Sequence, residues 1–230
     1  MATKKIVIIE DEPDILDILS FNLKREGYDV YSSSDGIKGL ALVNKVVPDL
    51  VLLDLMLPGL DGVEICSSIK NTHQTTDTLV VMVTAKGEES DIVLGLGVGA
   101  DDYVTKPFSP KELVARVKAV LRRGRMPALQ DKQATITLGD LTIDPVKHQV
   151  FFAGTPLRLT ATEFRLLYCL SRNPGHVFTR DHLLANVMGD GTFIVDRNID
   201  VHVRGIRKKM HVEPPLIETI RGVGYRLREP

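Results

Sequence analysis

Between residues 5 and 123, short apolar runs alternate with helix-periodic segments, and this alternation narrows the choice of fold more than any other feature of the chain. The clearest run is Leu50-Val51-Leu52-Leu53, stopped by Asp54 and followed by the loop Leu55-Met56-Leu57-Pro58-Gly59. An apolar stretch that ends in a carboxylate and then a Pro-Gly pair reads as a buried strand delivering one acidic side chain to the rim of a sheet. Comparable strand signals lie at 5–9, 28–32, 78–83 and 102–105. Helices are expected at 13–26, 36–45, 62–70, 88–96 and 110–123; the first carries Ile15, Leu19 and Leu23 on one face, Pro13 near its start and Gly27 at its end. Five such β-α units predict an α/β fold, a five-stranded parallel, doubly wound sheet with right-handed crossovers and helices on both faces.

That architecture sends several polar residues to the carboxyl ends of strands, where open α/β sheets place ligands. They are Glu10 and Asp11 after Ile6-Val7-Ile8-Ile9, Asp54, Thr84 after 79–83, and Lys106 after Tyr103-Val104-Thr105. Singly, each is ordinary: acids favour helix N-termini, and an isolated Thr or Lys at a strand end is commonly structural or solvated. Together they form a specific set. Three acids suit a hard divalent cation, and Mg²⁺ takes one or two carboxylates alongside phosphate and water. Asp54 is then a candidate nucleophile for an aspartyl phosphate, with Lys106 pairing with a phosphate oxygen and the Thr84 hydroxyl donating to another.

Residues 122–134 break the alternation with polar residues, Gly124 and Pro127, as a linker would. Short strand signals follow at 135–138, 141–143, 149–152 and 156–159, separated by turn residues, and suggest a small antiparallel sheet. Thr160-x-x-Glu163 is a capping box opening a helix with Phe164, Leu167, Tyr168 and Leu170 on its apolar side. Thr179 caps a second helix through about residue 188. A third is expected over 195–210, with Ile199, Val203, Ile206 and Met210 facing the core and Arg197, His202, Arg204, Arg207, Lys208 and Lys209 opposite. Residues 216–227 turn at Gly222-Val223-Gly224 and read as a hairpin flanked by Arg221, Arg226 and Arg228. A basic helix preceded by another across a loop, with a basic hairpin after it, fits a helix-turn-helix lying in a major groove with a wing beside it.

Charge divides along the same boundary. Residues 1–124 hold 14 Lys or Arg against 19 Asp or Glu, and residues 125–230 hold 15 against 11, so a net of −1 conceals an acidic and a basic half. Cys66 and Cys169 sit in apolar-periodic stretches of different halves and read as core thiols rather than a disulfide or metal pair. No apolar run approaches the roughly 18 residues of a membrane span, so the expectation is a cytoplasmic protein without membrane association. Gly95-x-Gly97-x-x-Ala100 matches a loose dinucleotide fingerprint, but it closes a helix and precedes a strand, the reverse of the context that binds a pyrophosphate.

Glu10-Asp11-Glu12-Pro13, Asp54-Leu55-Met56-Leu57-Pro58-Gly59, Thr84-Ala85-Lys86 and Asp101-Asp102-Tyr103-Val104-Thr105-Lys106-Pro107 resemble the receiver domain of two-component response regulators. The resemblance runs from about residue 3 to 123. It implies a flavodoxin-like fold in which Asp54 accepts phosphate from a sensor histidine kinase and Glu10, Asp11, Asp54 and the Met56 carbonyl surround Mg²⁺. It further implies that Thr84 and Tyr103 form a switch pair and that Lys106-Pro107 is cis. Asp101, Asp102, Glu112 and Arg116 would belong to the face on which activated receivers dimerise. Residues 92–98, Ile-Val-Leu-Gly-Leu-Gly-Val, depart from the family pattern, which has a charged helix there. Each interior Gly costs a helix about 1 kcal/mol relative to Ala. Either these apolar residues are simply buried, or the dimer uses a more apolar or shifted contact.

The second half resembles the winged-helix effector domain of the OmpR/PhoB class through Thr160-Ala161-Thr162-Glu163-Phe164, Val177-Phe178-Thr179-Arg180, residues 195–204 and Thr219-Ile220-Arg221-Gly222-Val223-Gly224-Tyr225-Arg226. The match implies DNA contacts by Arg197, Asn198, Val201, Arg204 and Arg207 from the recognition helix and by Arg221 and Gly222 from the wing. Gly205 stands where many relatives carry a basic or polar side chain, so a base contact is expected to be missing there. The resulting expectation is a receiver domain over 1–123, a linker over 124–134 and a DNA-binding domain over 135–230. Such a chain is a regulator and not an enzyme: phosphorylation of Asp54 promotes a homodimer that binds tandem half-sites on double-stranded DNA, with RNA polymerase a further partner. An aspartyl-nucleophile phosphatase is disfavoured because Met56 stands where those enzymes carry a second Asp. A constitutively dimeric DNA-binding regulator, with the receiver used only for dimerisation, is the alternative.

Overall fold

The computed structural model describes residues 3–84, 95, 97–124, 134–188 and 198–229. The chain divides into two compact units, Met1–Gly124 and Arg125–Pro230.

In the first unit β1 (Lys5–Ile9), β2 (Asp29–Ser33), β3 (Leu50–Asp54), β4 (Leu79–Thr84) and β5 (Asp102–Thr105) form one parallel sheet in the order β2-β1-β3-β4-β5. Ile6, Val7, Ile8 and Ile9, and Leu50 through Leu53, are buried on both faces, which explains why these strands read as unbroken apolar runs rather than alternating ones. Four helices complete the described part of the unit: α1 (Pro13–Arg25), α2 (Gly36–Val46), α3 (Gly62–Asn71) and α4 (Pro110–Gly124). α1 packs beside α4 and α2 beside α3, as right-handed crossovers in this strand order require. Asp35 caps α2 by accepting from the Lys38 N–H at 2.8 Å, and Asp61 caps α3 by accepting from the Val63 N–H at 2.7 Å. Strand order reverses between β1 and β3, which makes the carboxyl ends of those two strands the natural ligand crevice.

Most of the helix expected over 88–96 lies outside the described residues. At its described end, Gly95 lies so close to β4 that a Cβ there would stand 2.4 Å from Met82 Sδ. A side chain at position 95 would therefore have to displace the Met82 thioether.

The second unit opens with the antiparallel sheet β6 (Ile136–Leu138), β7 (Leu141–Asp144), β8 (Gln149–Phe152) and β9 (Thr155–Pro156). β9 is shorter than the expected 156–159 and begins one residue earlier, although the Leu157 N–H still donates to the Val150 carbonyl at 2.8 Å. Helices α5 (Ala161–Ser171), α6 (Arg180–Met188) and α7 (Asn198–Met210) follow, then β11 (Ile217–Ile220) and β12 (Gly224–Leu227). The capping box forms as its sequence predicts: Thr160 Oγ1 accepts from the Glu163 N–H at 3.3 Å, and Glu163 Oε2 accepts from the Thr160 N–H at 2.8 Å. A two-residue strand that sequence reasoning did not anticipate, β10 (Phe178–Thr179), pairs with β12, so the hairpin belongs to a three-stranded sheet in the order β10-β12-β11. Ile199, Val203, Ile206 and Met210 of α7 enter one core with Leu166, Leu167 and Leu170 of α5 and with Leu183 and Val187 of α6.

Two side chains expected on the polar side of α7 are differently placed. His202 is buried at 2% exposure, so it is not part of the exposed basic face. Gly205 packs toward α5, where a Cβ would come within 2.5 Å of Glu163 Oε1, a carboxylate that also accepts from Lys209 Nζ through Oε2. A side chain at position 205 would therefore have to displace the Glu163 carboxylate.

Asp101 and Lys70 form a buried ion pair at the end of the first sheet opposite to Asp54, near the starts of β4 and β5. Lys70 Nζ donates to Asp101 Oδ2 and to the Thr78 carbonyl, both at 2.7 Å, and the same Oδ2 accepts from the Val80 N–H at 2.9 Å. The side chains are 2% and 0% exposed. Removing one partner of a buried pair leaves the other desolvated and uncompensated. Lys70→Met is therefore expected to lower stability by about 3–5 kcal/mol, and Lys70→Met/Asp101→Asn by less, as read from urea unfolding midpoints.

Candidate functional site

The carboxyl ends of β1, β3 and β5 converge on one ammonium. Lys106 Nζ donates to Asp54 Oδ2 at 2.7 Å, Glu12 Oε1 at 2.8 Å and Glu10 Oε1 at 2.9 Å. β3 delivers Asp54, which is 4% exposed; β1 delivers Glu10, which is 1% exposed, with Glu12 two residues on and open to solvent. Lys106 follows β5 and is joined to Pro107 by a cis peptide, as the family resemblance implied. The loop after Asp54 folds back on the site, with the Met56 N–H donating to Asp54 Oδ1 at 2.9 Å. Gly62, at the start of α3, sits against that strand end so closely that a Cβ would come 2.3 Å from the Asp54 carbonyl oxygen. Any side chain at position 62 would push the loop bearing Met56 off its seat.

Burial sets the electrostatics. Loss of solvent pushes the Glu10 carboxyl up to about 7 despite the Lys106 hydrogen bond, and the adjacent Asp54 charge adds to the rise. Burial also works against charge on Lys106, but hydrogen bonds to Asp54, Glu12 and Glu10 outweigh it and hold the ammonium above its ordinary value. Glu10 Oε2 is buried with no hydrogen-bond partner among the described residues, so an acceptor stands ready inside an acidic pocket whose Lys106 ammonium is already shared three ways. Oxygen atoms of Glu10, Glu12 and Asp54 lie within 4.8 Å of one another. Hard oxygen donors at this spacing, one of them unsatisfied, fit a small divalent cation of the Mg²⁺ kind.

Not every expected residue joins the cluster. Glu12, and not Asp11, completes the group of three carboxylates in this structure. Sequence reasoning gave Glu12 no role; three acidic residues in a row offer no signal as to which of them reaches Lys106. Thr84 closes β4 in register with Thr105, and its side chain lies outside what the structure describes. Tyr103 is buried on the neighbouring strand at 7% exposure. Of the acids expected on a dimer face, Asp101 is sealed against Lys70, so its carboxylate does not reach a surface from which it could pair with another chain. Asp102 is 1% exposed, accepts from the Tyr103 N–H at 2.8 Å and lies 3.8 Å from Arg116, while Glu112 stays exposed and pairs with Arg116 one helical turn away.

In the second unit Arg197 falls outside the described residues, as does the side chain of Asn198. Arg204 projects from α7 into solvent, and Val201 is half-buried. Arg221 and Gly222 are exposed in the tight turn between β11 and β12, where Gly222 adopts a φ of 73° that favours glycine. Arg207 turns inward onto β11.

A doubly wound sheet with an acid–lysine cluster at its switch point, followed by a helical unit ending in a basic hairpin, defines a regulator with a receiver and a winged-helix effector. Residues 6–118 match the response regulator receiver domain family, and residues 154–227 match the family of transcriptional regulatory protein C-terminal domains. Among solved structures, DrrB of Thermotoga maritima, an OmpR/PhoB homologue, is 35% identical over 99% of this chain and 100% of its own, with a TM-score of 0.51. A variant of RitR is 27% identical over 99% of this chain and 100% of its own, with a TM-score of 0.77. A CheY-like receiver domain protein from Methanospirillum hungatei is 30% identical over 54% of this chain and 97% of its own, with a TM-score of 0.51. The chain belongs to the two-component response regulators of the OmpR/PhoB class and is a DNA-binding transcription regulator. No helix among its described residues is long and apolar enough to cross a membrane.

The raised Glu10 carboxyl gives the cation-depleted protein a pH signature. Its native pKa of about 7 exceeds the ordinary 4.5, so the native state binds this proton more tightly than the unfolded chain does. The resulting stabilisation is complete below about pH 4.5 and is lost as pH rises through about 7. Urea midpoints measured in chelator are expected to fall over that window for the native sequence and to fall less for Glu10→Gln. Millimolar Mg²⁺ at pH 7 is expected to raise the midpoint of the native sequence more than that of the variant.

Proposed function

We propose that residues 1–123 act as a phosphoacceptor receiver with Asp54 as the accepting residue, and that 124–134 link it to a DNA-binding domain over 135–230. The observation that carries the reading is the three-way engagement of Lys106 by Glu10, Glu12 and Asp54 at the sheet's switch point. An Asp54 oxygen attacks the phosphorus of a sensor-kinase phosphohistidine, the P–N bond breaks, and the imidazole leaves with the electron pair. Glu10, Asp54 and a further acid, Asp11 or Glu12, would hold Mg²⁺ with the Met56 carbonyl, and the ion would neutralise charge on the transferring phosphoryl oxygens. Lys106 moves from the Asp54 carboxylate to a phosphate oxygen. The Thr84 hydroxyl donates to another, and Tyr103 follows on the adjoining strand to alter the face formed by β5 and α4.

Glu112 and Arg116 supply charge on that face, while Asp101 stays committed to Lys70. Homodimers then present two winged helices to tandem half-sites, and the second contact strengthens binding because it is intramolecular. Arg197, Asn198, Val201 and Arg204 meet the DNA from the recognition helix, and Arg221 and Gly222 from the wing. RNA polymerase is the expected recipient of the assembled dimer, in the cytoplasm.

Incubation with Mg²⁺ and a small-molecule phosphodonor is expected to add one phosphoryl group to the native chain and none to Asp54→Ala, by intact mass, with a shift toward dimer in sedimentation of the same samples. Absence of an adduct in the presence of metal, or a dimer regardless of treatment, would favour the constitutive dimer instead.

A further inference from the structure

Sequence position assigns Arg207 to the DNA side of α7 together with Arg204, yet the two side chains are placed in opposite ways. Arg207 donates from both Nε and Nη2 to the Ile217 carbonyl, at 3.0 and 2.6 Å, and Nη2 also reaches Thr219 Oγ1 at 2.8 Å. Ile217 and Thr219 lie on β11, an edge strand that pairs only with β12 in this sheet, so its outward carbonyls need donors from elsewhere. Arg207 supplies one, and its guanidinium also lies 5.7 Å from the centre of the Tyr225 ring on β12.

A second tie runs through the same ring. Arg180, the first residue of α6, has its Cζ 5.0 Å from the Tyr225 centroid, and its Nε donates at 2.8 Å to Asp200 Oδ1 in the first turn of α7. Asp200 and Arg207 are about two helical turns apart. The hairpin is thus tied to α7 at two levels, with both guanidinium groups near the Tyr225 ring. By contrast, Arg204 and Lys208 are both exposed and have no polar side-chain partner among the described residues.

We propose that Arg207 is a positioning residue that fixes the wing against the recognition helix, so that Arg221 arrives at a set distance from Arg204, and that it makes no contact with DNA itself. The proposal rests on the DNA-binding reading above for its consequence, though not for its geometry. Lysine discriminates the two roles. A lysine at 207 keeps the charge a phosphate would need but lacks the planar fork that spans the Ile217 carbonyl and the Thr219 hydroxyl.

The test uses the full chain, treated with phosphodonor and Mg²⁺, and a duplex enriched by it from a random-sequence pool. Arg207→Lys is expected to weaken binding at least roughly tenfold, the equilibrium worth of one hydrogen bond from a charged donor. In an Arg221→Ala background the same change should have little further effect, because the wing it positions no longer carries the contact. In the DNA-free chain, amide exchange across 217–227 should quicken in Arg207→Lys, and more mildly in Thr219→Val, with circular dichroism showing both variants folded. Binding retained by the lysine variant with hairpin exchange unchanged would overturn the proposal, as would fully additive effects of the Arg207 and Arg221 changes. If the native chain enriches no duplex, the DNA-binding reading fails while the exchange comparison still decides whether Arg207 holds the hairpin.

Discussion

One ammonium shared among three carboxylates is the interaction on which the first unit depends. Glu10 and Asp54 are both almost fully buried, and each accepts a hydrogen bond from the same Lys106 ammonium. Lys106 meets them from the far end of β5, and its reach ties three strand ends to one point. The cluster leaves charge closely balanced in this crevice, so any added ion there would redistribute it. Gly62 and the Met56 N–H hold the loop after β3 against that point, so the backbone that would border a bound cation is seated by the start of α3.

The buried Lys70–Asp101 pair does different work at the other end of the same sheet. It joins the C-terminal end of α3 to the approach to β5, through the Thr78 carbonyl and the Val80 N–H as well as through charge. An acid that its sequence position assigns to a dimer face is thereby spent inside the unit. On α4, by contrast, the exposed Glu112 pairs with Arg116 one helical turn away.

Basic composition in the second unit has two destinations. Arg180, Arg226 and Arg228 are paired with Asp200 and Glu218, Lys209 with Glu163, and Arg207 with the carbonyl edge of β11, so a substantial part of the positive charge holds the domain together. Arg204, Lys208 and Arg221 remain directed at solvent. A charge count therefore identifies the sign of the partner without identifying the residues that meet it, because a guanidinium serves a strand edge as readily as a phosphate.

The sequence by itself determined most of the strands and helices described in both units, the capping box at Thr160, and the arrival of Glu10, Asp54 and Lys106 at strand ends. Each of these follows from local rules: apolar period, breaker residues and side-chain capping act over a few neighbouring positions. Only the tertiary structure decided that Glu12 rather than Asp11 turns to Lys106, that Lys70 claims Asp101, that His202 enters the core, that Gly205 seats Glu163 and that Arg207 binds β11. The partners in these cases lie between about 10 and 100 positions apart in the chain. A polar side chain chooses among water, a ligand and a distant carbonyl or carboxylate only once folding has brought the competitors within reach, and residue type alone carries no record of that choice.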